Sequence, residues 1–224
     1  MSDENDKNPS NDSTPSRPHP KGGYEPTPSL LSNPAWKEHI MKSMQTKPLP
    51  HQEQLGPYFL PDAPFRAKLA PPFEEGTVLI IKGCVWSAQE RKGVPATLEV
   101  WHANSEGHYD NEDTEGSSTD FSFINRARVR CDDSGRFEFE TVYPGGYPRN
   151  EQWRAPHIHL RVQYSGHVPC VTQIYFEGDE YVHVDPFVKD SIKVELSDKE
   201  RNGNHYKEGE IEIVLARRPQ NAKP

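Results

Sequence analysis

Two imidazoles stand two residues apart in Trp153-Arg154-Ala155-Pro156-His157-Ile158-His159. Side chains on an extended backbone alternate between faces, so His157 and His159 would point to one side and could grip one metal. Ile158, Leu160 and Val162 take the opposite phase, which predicts a strand with one apolar face. A His-x-His pair alone describes two ordinary histidines on a half-exposed strand just as well. Its company narrows the reading. Gly107-His108-Tyr109-Asp110 and Tyr143-Pro144-Gly145-Gly146-Tyr147-Pro148 set tyrosines in turn-like, Gly/Pro-rich contexts that can aim a phenol into a cleft.

Two phenols and two imidazoles make a particular chemical offer. Ionised phenols are hard, anionic oxygen donors, and two of them beside two neutral imidazoles suit ferric iron. Zinc sites favour Cys, His and carboxylate. Copper electron-transfer sites use a thiolate, and ferrous oxygenases use two His and one carboxylate. No Glu or Asp follows His159 before Glu177. A free phenol has a pKa of about 10, so each tyrosine needs a strong cation to ionise at neutral pH.

Four motifs in one order resemble the intradiol ring-cleavage dioxygenases, the family of protocatechuate 3,4-dioxygenases and catechol 1,2-dioxygenases. They are Gly56-Pro57-Tyr58-Phe59-Leu60-Pro61; Leu98-Glu99-Val100-Trp101-His102-Ala103-Asn104 running into Gly107-His108-Tyr109; Pro144-Gly145-Gly146-Tyr147-Pro148; and Arg154-Ala155-Pro156-His157-Ile158-His159 followed by Val171-Thr172-Gln173-Ile174-Tyr175-Phe176-Glu177-Gly178-Asp179. The resemblance implies that Tyr109, Tyr147, His157 and His159 bind Fe(3+), that Tyr147 is the displaceable ligand, and that Arg154 and Gln173 act beside the metal. It implies O2-dependent cleavage of a catechol-type ring to a cis,cis-muconate. Arg149, Tyr58 and Tyr175 are the candidate substrate contacts. The family's usual Arg-Pro-Ala-His-Ile-His reads Arg-Ala-Pro-His-Ile-His here, which keeps the ligand spacing. Arg149 stands where protocatechuate enzymes often carry Trp, which leaves protocatechuate, catechol and substituted catechols all open as substrates.

Composition agrees. With 224 residues and 33% hydrophobic content the chain has enough apolar material for one domain plus polar tails. A net charge of −8 without a basic cluster argues against nucleic acid. No apolar run approaches the roughly 20 residues of a membrane helix, so no membrane partner is expected. The start Met1-Ser2-Asp3-Glu4-Asn5-Asp6 lacks the basic and apolar regions of a secretory signal. Cys84, Cys131 and Cys170 are few and widely spaced, which reads as reduced thiols in the cytoplasm. Either a homo-oligomer or a hetero-oligomer fits.

These side chains need a scaffold, and the sequence predicts an all-β one. Residues 1–30 read as a disordered or extended tail. Residues 31–75 read as a short helix, capped by Asn33 and Pro34, followed by a proline-rich irregular arm. Residues 76–218 form the expected catalytic domain, an antiparallel β-sandwich with long active-site loops, and 219–224 a tail. Strands are expected at Thr77–Trp86, Ala96–Ala103, Arg126–Cys131, Arg136–Thr141, His157–Tyr164, Cys170–Phe176, Ile192–Leu196 and Glu210–Ala216. Asp132-Asp133-Ser134-Gly135 reads as a hairpin turn. Tyr143 competes with Tyr147 on chemistry alone, but the Pro-Gly-x-Tyr context favours Tyr147. His102 and His108 read as structural or surface groups, and His183 and Asp185 as a solvated loop. Two other function classes stay open: a non-catalytic sandwich binding an aromatic ligand or partner, and a different His-ligated metalloenzyme.

Overall fold

The computed structural model describes residues 54–112, 123–149, 152–188 and 191–218. The expected tails and the Asn33 helix lie outside them. Twelve strands run through the described residues: β1 (Val78–Ser87), β2 (Lys92–Gly93), β3 (Thr97–Trp101), β4 (Arg126–Arg130), β5 (Arg136–Val142), β6 (Tyr147–Arg149), β7 (Gln152–Arg154), β8 (His157–Gln163), β9 (Cys170–Phe176), β10 (Ile192–Val194), β11 (Leu196–Arg201) and β12 (Asn204–Leu215). One five-stranded sheet has the order β11-β12-β1-β2, with β5 also on β1. The other runs β10-β9-β8-β3-β4, and β6 with β7 forms a separate two-stranded ribbon.

Period-2 alternation builds the core between the sheets. Leu79, Ile81 and Val85 of β1, Phe137 and Phe139 of β5, and Ile211, Ile213 and Leu215 of β12 share one buried cluster with residues of the second sheet. Those are Leu98 and Val100 of β3, Val129 of β4, Ile158, Leu160 and Val162 of β8, and Ile174 and Phe176 of β9. Fully burying each such side chain stabilises the fold by roughly 1.5–3 kcal/mol. The all-β sandwich is therefore as expected, and it occupies one face of each sheet. On β8 that leaves His157, His159 and Arg161 on the opposite face. All three cysteines are buried and none is in a disulfide.

Three expectations need correction. The sheets are mixed: β1 pairs in parallel with β12 from Leu79↔Lys207 to Ser87↔Leu215, and β10 pairs in parallel with β9. The Asp132–Gly135 turn is tight, closed by Gly135 N donating to Asp132 O at 2.9 Å. It is not a hairpin, because β4 lies in the second sheet and β5 in the first. The chain crosses the sandwich there, as it does again between Val194 and Leu196, which splits the expected strand Ile192–Leu196 between the two sheets.

The irregular arm is stitched across both sheets. Arg66 N donates to Arg128 O at 3.1 Å on β4, and Leu69 N to Glu140 O at 2.8 Å on β5. His102 is buried, as expected of a structural histidine. Its Nδ1 lies 2.7 Å from Ala103 O and its Nε2 2.6 Å from Thr141 Oγ1. These partners fix the neutral tautomer, with Nδ1–H donating and Nε2 accepting. Burial pushes its pKa down to about 4.

Candidate metal centre

Strand register assembles the first half of the site on the outer face of the second sheet. Trp101 of β3 lies opposite His159 of β8, and His159 lies opposite Gln173 of β9. The next row pairs His157 with Tyr175. Directly opposed residues share a face, so the rings stack across strands. Trp101 lies parallel to His159 with centroids 4.9 Å apart, and Tyr175 packs on His157 at 5.4 Å. Each imidazole is thus held in plane by a neighbouring strand. His157 Nδ1 lies 2.6 Å from Ala155 O, so it carries the proton and leaves the Nε2 lone pair facing outward. That Nε2 is 3.2 Å from His159 Nε2 and 3.4 Å from the Tyr147 hydroxyl.

Two loops bring the phenols over this face. Asn104 shapes the first: its Oδ1 accepts from Glu106 N at 3.0 Å and His108 N at 2.9 Å, turning the chain so that Tyr109 is buried. Tyr147 sits on the β6–β7 ribbon directly opposite Arg154. The loops meet backbone to backbone, which explains their glycines. A Cβ on Gly107, whose φ is +92°, would fall 2.5 Å from Gly146 O, and one on Gly145 would fall 2.5 Å from Ser105 O. The arm closes the third side. Tyr58 stacks on Tyr109 at 4.2 Å, and Gly56 approaches the His159 ring. Arg126 clamps this layer, donating to Asp110 at 2.6 Å, to Asn111 at 2.6 Å and to the Tyr58 carbonyl.

Burial sets the protonation of the four groups, keeping both imidazoles neutral and both phenols protonated. Burial pushes His157 down to about 3, helped by the positive charge of Arg154, and His159 well down for the same reason and because of His157. Both imidazoles are neutral at ordinary pH. Burial raises Tyr109 well above a free phenol, and the Tyr147 phenol adds to this. Burial also raises Tyr147, opposed first by Arg154. The Tyr109 hydroxyl lies toward Tyr147 but in no hydrogen bond of proper geometry, although it is buried. Buried polar atoms are nearly always paired, so such an orphan calls for a partner.

The residues fit a hard, trivalent metal. Two imidazole lone pairs and two phenol oxygens converge, and a cation would supply the missing partner of Tyr109 while ionising both phenols. Among the described residues no three His, Cys, Asp or Glu side chains come together. A thiolate or carboxylate set of the zinc, copper or ferrous kind is therefore not what this cluster offers.

Arg154 lies behind His157 with 3% of its surface exposed. Its Nη2 donates to Gln173 Oε1 at 2.7 Å and to the Tyr175 hydroxyl at 2.8 Å, and lies 3.5 Å from His157 Nε2. Burial opposes its charge, but Tyr175 and Asp185 outweigh that and hold it protonated. The structure brings Tyr109, Tyr147, Arg154, His157, His159 and Gln173 together on one side of the second sheet.

Other candidates fall elsewhere. Tyr143 packs in the core against Phe176, 4.6 Å between centroids. His108 is exposed and pairs with Glu112 at 3.1 Å. Tyr175 is 0% exposed, with its hydroxyl engaged by Arg154, so it supports the guanidinium instead of lining the open cleft as expected of a substrate contact. Arg149 is exposed, and alternation on the ribbon puts it on the face of Tyr147 and Arg154. Its charge opposes the burial-driven rise of both Tyr58 and Tyr147. Phe187 lies between the two arginines, its ring 4.4 Å from Arg154 Cζ and 5.6 Å from Arg149 Cζ.

Sequence reasoning missed two residues. Arg126 is a charged residue on an otherwise ordinary strand, and nothing local reports its burial. Asp185, read as part of a solvated loop with His183, is buried and bonded to Arg154 at 2.9 Å, while His183 is exposed. The direction of the Asp185 carboxylate was not legible from the loop sequence.

Comparison with known proteins agrees with this geometry. The family described as Dioxygenase matches residues 55–216. A chlorocatechol 1,2-dioxygenase of Pseudomonas sp. strain P51 is 30% identical over 146 residues, covering 58% of this chain and 57% of the relative. A protocatechuate 3,4-dioxygenase beta chain of Burkholderia cepacia is 33% identical over 117 residues, 50% of this chain and 49% of the relative. The chain thus spans about half the length of the curated relatives it matches. The crystal structure of 3-chlorocatechol 1,2-dioxygenase from Rhodococcus opacus 1CP superposes with a TM-score of 0.68 at 24% identity, over 80% of this chain and 78% of that one, a likeness of fold. With its family match running from the arm through the last strand, and its phenols and imidazoles gathered on one sheet face, the chain belongs to the intradiol ring-cleavage dioxygenase family.

Proposed function

We propose that this protein is an Fe(3+)-dependent dioxygenase that opens a catechol-type ring between its two hydroxyl-bearing carbons, adding both atoms of O2 to give a cis,cis-muconate. The observation that carries the reading is the convergence of Tyr109, Tyr147, His157 and His159 on one point, with the buried Tyr109 hydroxyl in no hydrogen bond of proper geometry. Ferric iron held by these four would supply an electron sink that lends the aromatic radical character toward triplet oxygen. The chain's own residues do the rest. Tyr147, partly exposed beside the cleft, takes the proton of a substrate hydroxyl at its Oη. Tyr109, pinned under Tyr58, stays in place. Arg154 presents a fixed positive charge to the ring carbon on which negative charge grows, and Gln173 holds that guanidinium. Both oxygen atoms enter the product, so no external reductant is consumed.

Substrate choice falls to the open side, where Arg149 and Phe187 stand. A guanidinium there can meet an anionic ring substituent by a charge-assisted contact. The test is oxygen uptake and ring-opened product against catechol, protocatechuate, hydroxyquinol and halogenated catechols, with wild type and Arg149→Gln. Turnover of at least one is expected. Arg149→Gln should raise KM for protocatechuate by about tenfold relative to catechol, the order expected of one partly solvated charge-assisted bond. Oxygen uptake with none of the panel would overturn the proposed activity. An equal effect of Arg149→Gln on neutral and anionic catechols would remove Arg149 from the substrate contacts.

A further inference from the structure

We propose that Asp185 is the positioning residue for Arg154, fixing the face that its guanidinium turns toward the reacting ring; this rests on the functional reading above. Asp185 lies 31 residues from Arg154 in sequence, on the loop that follows β9, yet 5% of its surface is exposed. Its Oδ2 accepts from Arg154 Nε at 2.9 Å and from Ala155 N at 3.0 Å. Its Oδ1 accepts from Phe187 N at 2.9 Å. One carboxylate therefore ties four things together: the guanidinium, the Tyr175 hydroxyl at 3.4 Å, the backbone just before His157, and the turn carrying Phe187.

The arrangement constrains Arg154 in a way that Gln173 and Tyr175 alone do not. They receive Nη2, which leaves the plane free to swing about that end. The Nε–H to Oδ2 bond fixes a second nitrogen along the same edge, so the plane has two fixed points and Nη2 stays 3.5 Å from His157 Nε2. A planar fork held at two of its nitrogens is pre-organised. An electrostatic group contributes most when it need not reorganise as charge develops. The Phe187 ring, 4.4 Å from Arg154 Cζ, covers the remaining face, and the Asp185 bond to Phe187 N sets where that ring lies. Asp185 touches neither substrate nor metal; its bonds to Ala155 N and Phe187 N seat the backbone and the ring beside Arg154, and its direct hold on the guanidinium is the Nε bond.

The test combines two measurements. In the metal-free full chain, nitrogen-15 spectroscopy of arginine side chains should show the Arg154 Nε–H slowed in hydrogen exchange by at least tenfold relative to an exposed arginine, and Asp185→Asn should abolish that protection. This wild-type measurement needs no variant to fold, and an unprotected Nε–H would overturn the proposal. In the iron-loaded enzyme, Asp185→Asn should lower kcat by roughly tenfold to a hundredfold, the range seen for partners that orient site residues. It should leave KM for catechol within about threefold. In an Arg154→Gln background the same substitution should lower kcat by less than about threefold, because the main route of action is gone. A loss of kcat equal in both backgrounds, or retained kcat in Asp185→Asn, would overturn it. If the wild-type chain turned over no catechol, the proposed activity would fall, and the exchange measurement would still decide whether Asp185 fixes Arg154.

Discussion

Arg154→Gln should keep the iron and the colour of the protein while losing a hundredfold to a thousandfold of turnover. A guanidinium stays charged at any working pH and cannot act as a base, so its contribution is electrostatic. Removing one preorganised, charge-assisted donor from a buried site typically costs about 3–4 kcal/mol in the transition state. The burial of Arg154 and its bonds to Gln173, Tyr175 and Asp185 meet the condition of preorganisation. Substrate binding should be spared, because the defect lies in the step with oxygen. Stopped mixing of the substrate-bound, oxygen-free enzyme with oxygen separates the two: a normal binding phase followed by a slow oxygen phase is expected. Near-normal turnover would reduce Arg154 to a structural ion-pair partner.

Tyr147→Phe and His159→Ala should fail differently. Tyr147 is the more accessible phenol, on a two-stranded ribbon at the rim of the site. Losing its hydroxyl removes the internal base, worth 10²–10⁴ in rate by general experience, while three donors remain. Turnover should therefore fall by at least about a hundredfold with iron content largely kept. His159 is packed between Trp101 and the Gly56 backbone and faces His157. Its replacement by alanine removes a donor and opens a gap beside Trp101, so iron content and turnover should fall together. Metal analysis beside steady-state rates checks this, and equal loss of iron in the two variants would contradict the separate roles.

Much of this site was legible because its chemistry is local. His157 and His159 share a strand face by period, and the glycines beside Tyr109 and Tyr147 announce turns whose backbones must touch. What escaped depends on distant segments. Whether β1 pairs in parallel or antiparallel is decided by β12, more than a hundred residues later, and alternation reads the same in either direction. The turn at Asp132–Gly135 has hairpin chemistry, yet both flanking strands have an apolar face, so crossing between sheets satisfies the pattern equally well. The β6–β7 ribbon is three residues per strand with exposed positions, too short and too polar to carry a period. Asp185 and Arg126 are charges whose burial is compensated by partners 31 and 16 residues away, and no local rule tells such a charge from a solvated one.

If Tyr109, Tyr147, His157 and His159 together hold one ferric ion, titrating the metal-free chain with ferric iron and following visible absorption will show it. Ionised phenols bound to ferric iron give an intense charge-transfer band that imidazoles and carboxylates do not. A red-brown band should saturate at one iron per chain, weaken in Tyr109→Phe and in Tyr147→Phe, and change on adding catechol without oxygen. A chain that binds iron without that band, or develops it unchanged in both tyrosine variants, would show that these tyrosines do not ligate the metal.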